Sequence, residues 1–166
     1  MKHFVLALAM SGLALAATAV AADPMTAQDY VEIQQLYAKY NHAIDSGNAD
    51  AYADTFTPDG TFNNNAGREA LKKFVTDTWV GRLNGPTTRQ HWNTNLSITG
   101  DSKTAKGSVY LMLVDFSTKP VSIASMGLYD DELVKTPQGW RFAKRQTKRA
   151  GPATAAPAAP AAQPKQ

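Results

Sequence analysis

The chain has 166 residues, of which 43% are hydrophobic and 19% charged, with no cysteine and a formal net charge of +3. That is the size of one globular domain with a substantial core. The missing cysteines exclude a disulfide framework, an iron–sulfur or cysteine–zinc site and a thiol nucleophile, and with three histidines, His3 among them, a His-rich metal site is not expected.

Residues 1–22 read as a secretory signal. Lys2 and His3 open it, an Ala/Leu-rich apolar stretch follows, and Ala19-Val20-Ala21 supplies a small-x-small cleavage pattern. The expected location is therefore outside the cytoplasm, periplasmic or secreted, with no membrane association once the signal is removed.

Residues 23–149 form the expected domain. The first helix spans Thr26 to Ser46, because Ile33, Tyr37, Tyr40 and Ile44 recur at helical spacing. Thr26 suits the N-cap, with Asp29 three residues on, and Gly47 suits the stop. Asn48 caps a second, short helix through Asp50 to Phe56. Thr57-Pro58-Asp59-Gly60 reads as a turn and Thr61-Phe62 as the start of a strand. A third helix follows from Gly67 to Leu83, with Leu71, Phe74, Val75 and Thr78 or Trp79 on its buried side, ended by Asn84-Gly85-Pro86.

The period then becomes extended. Thr88 to Thr99, Ala105 to Ser117, Val121 to Lys135 and Trp140 to Thr147 read as strands joined by short turns, which implies an antiparallel sheet. Val109 to Val114 is apolar throughout, so that strand is expected to be covered on both faces, one by the core and one by a second copy of the chain. Helices followed by a meander of long strands define an α+β domain, with the helices on the concave side of a curved sheet. Residues 150–166 hold eight Ala and four Pro, the composition of a disordered or polyproline-like tail.

The charge is uneven. Residues 23–140 carry 10 basic and 14 acidic groups, whereas Arg141, Lys144, Arg145, Lys148 and Arg149 cluster without an acid among them. This short run lacks a nucleic-acid-binding motif and reads as the basic fringe of a final strand. No nucleic-acid partner is expected.

Asp45 stands out among the carboxylates. It falls in the last turn of the first helix, where the helix dipole disfavours negative charge. Asp45-Ser46-Gly47-Asn48 is also ordinary turn chemistry, so a purely local role competes. Strand alternation sets His91, Asn93 and Asn95 on one face and Trp92, Thr94 and Leu96 on the other. His42, three residues before Asp45, is a rival base or simply a surface partner. Tyr40 lies on the apolar stripe, where its hydroxyl needs a partner or acts as a donor in a cavity. Tyr110 and Tyr129 are candidates to line that cavity, and Arg145 to meet a carboxylate within it.

Several stretches taken together resemble the SnoaL-like branch of the nuclear transport factor 2-like superfamily. They are residues 33–40 (IQQLYAKY), Asp45-Ser46-Gly47-Asn48, residues 56–62 (FTPDGTF), residues 89–95 (RQHWNTN), residues 129–133 (YDDEL) and Gly139-Trp140-Arg141-Phe142. The resemblance covers about residues 26 to 149. It implies a cone-shaped, curved antiparallel sheet wrapped around three N-terminal helices, with a pocket at the open end. Dehydratases and a dehydrochlorinase of this superfamily use an Asp–His pair at the positions of Asp45 and His91, and the bile-acid dehydratases place a Tyr at the position of Tyr40. The implied activity is a lyase of dehydratase type, or an isomerase, with no metal and no organic cofactor. Its substrate would be a small hydrophobic or hydroxylated organic molecule. Members with only a ligand pocket or an assembly role make a non-catalytic, homodimeric domain the alternative.

Overall fold

The structure is a computed structural model that describes residues 23–81 and 88–149. The expected signal, the end of the third helix and the Ala/Pro-rich tail lie outside these residues.

Helix α1 spans Ala27–Asp45. Thr26 caps it through a reciprocal capping box: the Asp29 amide donates to the Thr26 hydroxyl, and the Thr26 amide donates to the Asp29 carboxylate. Ile33, Tyr37, Tyr40 and Ile44 are all buried, so the apolar stripe faces the core as its spacing predicts. Gly47 has φ +71°, the left-handed conformation expected after the helix. Asn48 then caps α2, Ala49–Ala53.

Six strands follow: β1 (Phe56–Phe62), β2 (Asn65–Ala66), β3 (Arg89–Gly100), β4 (Thr104–Asp115), β5 (Ser122–Thr136) and β6 (Gly139–Arg149). They form one curved, unclosed sheet in the order β2-β1-β6-β5-β4-β3. β3 to β6 are the antiparallel meander read from the turns. The sheet is mixed rather than antiparallel, because β1 pairs parallel to β6. Turn chemistry identifies hairpins, whereas this pairing joins strands far apart in the chain and has no local signature.

Two elements differ from the reading of the sequence. Thr57-Pro58-Asp59-Gly60 is not a turn between elements but an irregularity inside β1: Phe56 pairs with Phe142 and Thr61 with Lys144, so residues 57–60 bulge out. Gly60 is required there, since a Cβ would come within 2.9 Å of the Phe142 carbonyl oxygen. The third helix is also not uniformly α-helical. α3 covers Arg68–Lys73 and passes into a π-helical segment, Phe74–Val80.

The outer face of β4 is less covered than its apolar run suggests. Val109, Leu111 and Leu113 point into the core, while Tyr110 is 57% exposed on the opposite face. The basic fringe of β6 is largely matched by the acids of β5. Lys144 meets Glu132 at 3.6 Å, Arg145 meets Asp131 at 2.8 Å, and Lys148 pairs with Asp130.

Asp29 ties the start of α1 to the β5–β6 hairpin. Buried, it accepts from Lys135 Nζ at 2.6 Å and Trp140 Nε1 at 3.0 Å besides its bonds to Thr26. The Lys135 bond first, then Thr26 and Trp140, hold its carboxyl far below the ordinary value of 3.8. A depressed value in the folded state means that this stabilisation is complete above the ordinary carboxylate range and disappears as pH falls through the folded value. Asp29→Asn is expected to lower stability at neutral pH and to flatten the loss of stability between about pH 4 and pH 2. Urea midpoints measured across that range for both proteins check this; parallel acid limbs would contradict it.

Candidate functional site

Asp45 is the last residue of α1, and His91 lies near the start of β3. The fold brings them into direct contact. Asp45 Oδ1 is 2.5 Å from His91 Nδ1, and Asp45 Oδ2 accepts the His91 backbone N–H at 2.9 Å. The two side chains are 18% and 5% exposed. A carboxylate only accepts, so Nδ1 carries the hydrogen and Nε2 holds the lone pair of the neutral ring. The dyad therefore has a defined tautomer and a defined ring orientation. It also answers the unfavourable dipole at the helix end, since two donors of one residue meet the carboxylate.

His91 is framed by aromatic rings. The Trp79 ring, from the π-helical segment, lies 5.0 Å away at 41°, and Tyr40 presents an edge-on contact at 6.5 Å. Asn41 Nδ2 donates to the His91 carbonyl at 3.2 Å, and Asn93 Nδ2 donates to Asn41 Oδ1 at 3.2 Å. Asn93 is thus linked to the same junction of α1 and β3.

Tyr40 is fully buried, with its hydroxyl 3.4 Å from that of Tyr52. Burial, then the neighbouring Tyr52, pushes its phenol well above the ordinary range, so it stays protonated and able to donate. Tyr129 is buried against it at 5.8 Å and shifts upward for the same leading reason, burial. Both rings flank Arg145, with its guanidinium carbon 4.1 and 4.2 Å from their centroids; Tyr37 and Phe142 complete the enclosure.

Arg145 is 0% exposed, and two of its three guanidinium nitrogens are engaged within the fold, while Nη1 has no hydrogen-bond partner among the described residues. Nε and Nη2 donate to the two oxygens of Asp131, each at 2.8 Å, and Tyr37 donates its hydroxyl to the same carboxylate. The carboxylate that Arg145 meets is the protein's own. Gly107 makes room for this group, because a Cβ there would stand 2.2 Å from the Tyr37 oxygen.

Two expected site residues do not join the others. Tyr110 lies on the exposed outer face of the sheet. Asn95 is exposed because β3 has a bulge between Thr94 and Ser97, where Asn95 takes φ +57°. The bulge flips the alternation, so Leu96 and Ile98, rather than Asn95, pack against the core beyond it. His42 is exposed and borders a groove of about 900 Å³ on the outer side of α1 that includes neither Asp45 nor His91. No group of three or more His, Asp or Glu among the described residues is arranged to hold a metal ion.

Asn41, Tyr52, Trp79 and Asp131 were not among the sequence candidates. Asp131 had one readable signal, the acidic run Asp130-Asp131-Glu132 facing the only acid-free basic run. The spacing sets Thr78 or Trp79 on the buried side of the third helix, but the meeting of the Trp79 ring with His91 has no local signal, because it depends on the π-helical segment and on where β3 lies.

A curved, unclosed sheet wrapped around N-terminal helices is the architecture of the nuclear transport factor 2-like class. Within it, this chain belongs to the SnoaL-like domain family, whose profile matches residues 25–146. An uncharacterized protein of Mycobacterium tuberculosis, Rv2910c, is 33% identical over 125 residues, covering 70% of this chain and 82% of that one. A crystal structure of a nuclear transport factor 2-like protein with a cystatin-like fold from Novosphingobium aromaticivorans superposes with TM-score 0.69 at 21% identity, covering 76% and 85% of the two chains. A Catenulispora acidiphila structure in complex with S-DNPA superposes with TM-score 0.64 at 28% identity, covering 74% and 95%.

The Arg145–Asp131 pair generates a stability prediction. Asp131→Ala strands a buried cation and is expected to cost about 3–5 kcal/mol. Replacing both partners, as Asp131→Leu with Arg145→Met, is expected to recover most of that loss in urea denaturation. A double variant no more stable than Asp131→Ala would show that the pair is not the source of the cost.

Proposed function

We propose that this protein is a cofactor-independent lyase of dehydratase type, or an isomerase, acting on a small organic molecule through His91 and Asp45. The observation that carries the reading is the 2.5 Å contact between Asp45 Oδ1 and His91 Nδ1, which leaves Nε2 as the base. In the elimination, Nε2 takes a proton from carbon beside a carbonyl, and the C–H electron pair becomes the new double bond as hydroxide departs. Asp45 stabilises the imidazolium, which returns its proton to the leaving oxygen as water. In the isomerisation the same proton returns to a different carbon. Tyr40, kept protonated by burial, is the donor toward developing negative charge on oxygen. The chain would act outside the cytoplasm after loss of residues 1–22.

His91→Ala and Asp45→Asn are each expected to lower kcat by about a hundredfold or more, with circular dichroism unchanged. A panel of β-hydroxy ketones, followed by the ultraviolet absorbance of the enone product, provides the assay. Undiminished turnover in both variants would end this mechanism.

A second reading, a dimeric ligand-binding or assembly domain, draws on the outer sheet face. Trp92, Met112 and Met126 face one another across β3, β4 and β5, beside exposed Tyr110. Obligate homodimer interfaces are apolar in this manner. Light scattering is expected to give a dimer that Met126→Lys dissociates; a wild-type monomer would remove this reading.

A further inference from the structure

Two buried polar atoms near His91 take no part in the chemistry above. Trp79 Nε1 and Asn93 Oδ1 are both buried and have no hydrogen-bond partner among the described residues. A buried indole N–H ordinarily finds an acceptor, and an unsatisfied buried polar atom requires an explanation.

Both atoms sit on elements that border His91. Trp79 belongs to the π-helical segment Phe74–Val80, and its ring lies over His91 at 5.0 Å. Short π-helical elements are rare and recur at functional sites. Asn93 is two residues beyond His91 and precedes the β3 bulge, so the two side chains share the inward face. Its amide cannot turn over. Asn41 donates Nδ2 to the His91 carbonyl, which commits Asn41 Oδ1 to Asn93. That oxygen needs a donor, so Asn93 must present Nδ2 to it and keep Oδ1 for something else.

We propose that Trp79 Nε1 and Asn93 Oδ1 orient the ligand at His91, the indole donating to a ligand carbonyl or ether oxygen and the amide oxygen accepting from a ligand hydroxyl or amine. The inference rests on the acid–base reading of His91 and adds what turns a substrate toward that ring. A ligand offering both groups satisfies both atoms. A ligand offering one leaves a buried partner unmatched, which a site built on hydrogen bonds discriminates against strongly.

The test is binding to the full chain, using 2-, 3- and 4-hydroxyacetophenone, acetophenone, phenol and ethylbenzene as probes. At least one hydroxyacetophenone is expected to bind about tenfold more tightly than each simpler probe. It is also expected to move the indole ¹H–¹⁵N resonance that Trp79→Phe removes. The other two tryptophans serve as internal controls, since Trp140 donates to Asp29 and Trp92 to Gln90. Trp79→Phe is expected to weaken acetophenone about tenfold and leave phenol unchanged, with Asn93→Ala doing the reverse. Equal binding across the series, no binding at all, or an unmoved Trp79 resonance overturns the proposal. The probe series on the unaltered chain keeps the test valid even where Asn93→Ala fails to fold. Because the readout is binding, a flat series would overturn this inference alone. Turnover that survives loss of His91 would overturn only the acid–base reading.

Discussion

The buried guanidinium of Arg145 constrains everything around it. With no exposure to water, it needs the Asp131 carboxylate, and that carboxylate needs the Tyr37 hydroxyl as well. A one-residue slip between β5 and β6 would turn one of the two charges outward and leave the other buried alone. The cost of an unpaired buried charge therefore sets the register of the two strands. It also sets the placement of α1, because Tyr37 reaches Asp131 only through the space above Gly107. Four aromatic rings close around the cation, and one of them, Tyr40, also meets the His91 ring edge-on.

Helix α1 carries an acid at each end, and the two do different work. Asp29, in the first turn, agrees with the helix dipole and anchors the helix to β5 and β6 through Lys135 and Trp140. Asp45, in the last turn, opposes the dipole and is held by the ring and the backbone amide of His91. An anchored first turn fixes where the last turn ends, and so fixes the carboxylate against the strand. The dyad is thus a product of how a rigid helix lies across the sheet.

Much of this was legible residue by residue. Thr26 with Asp29, the Ile33–Tyr37–Tyr40–Ile44 stripe, Gly47 and Asn48 announced two helices with their caps, since capping and amphipathic periodicity are local properties. The short turns between the long strands announced the hairpins for the same reason. Asp45 and His91 were candidates on local grounds, but their pairing came from resemblance to a family. The Asn95 assignment failed because a bulge inserts one residue into a strand, and nothing in residues 89–95 distinguishes a regular strand from a bulged one. The Thr57–Gly60 assignment failed in a related way: good turn chemistry serves equally well for a bulge within a strand.

The sequence by itself determined the order of the elements, their caps, the turns between consecutive strands and the apolar face of the first helix. Each depends on residues a few positions apart, whose spacing and backbone preferences act before any tertiary contact. Only the tertiary structure decided the parallel pairing of β1 with β6, the burial of Arg145 on Asp131, the hydrogen bonds that orient His91 and the meeting of Trp79 with that ring. Those depend on distances between residues far apart in the chain, which are set by how the helices lie in the curve of the sheet.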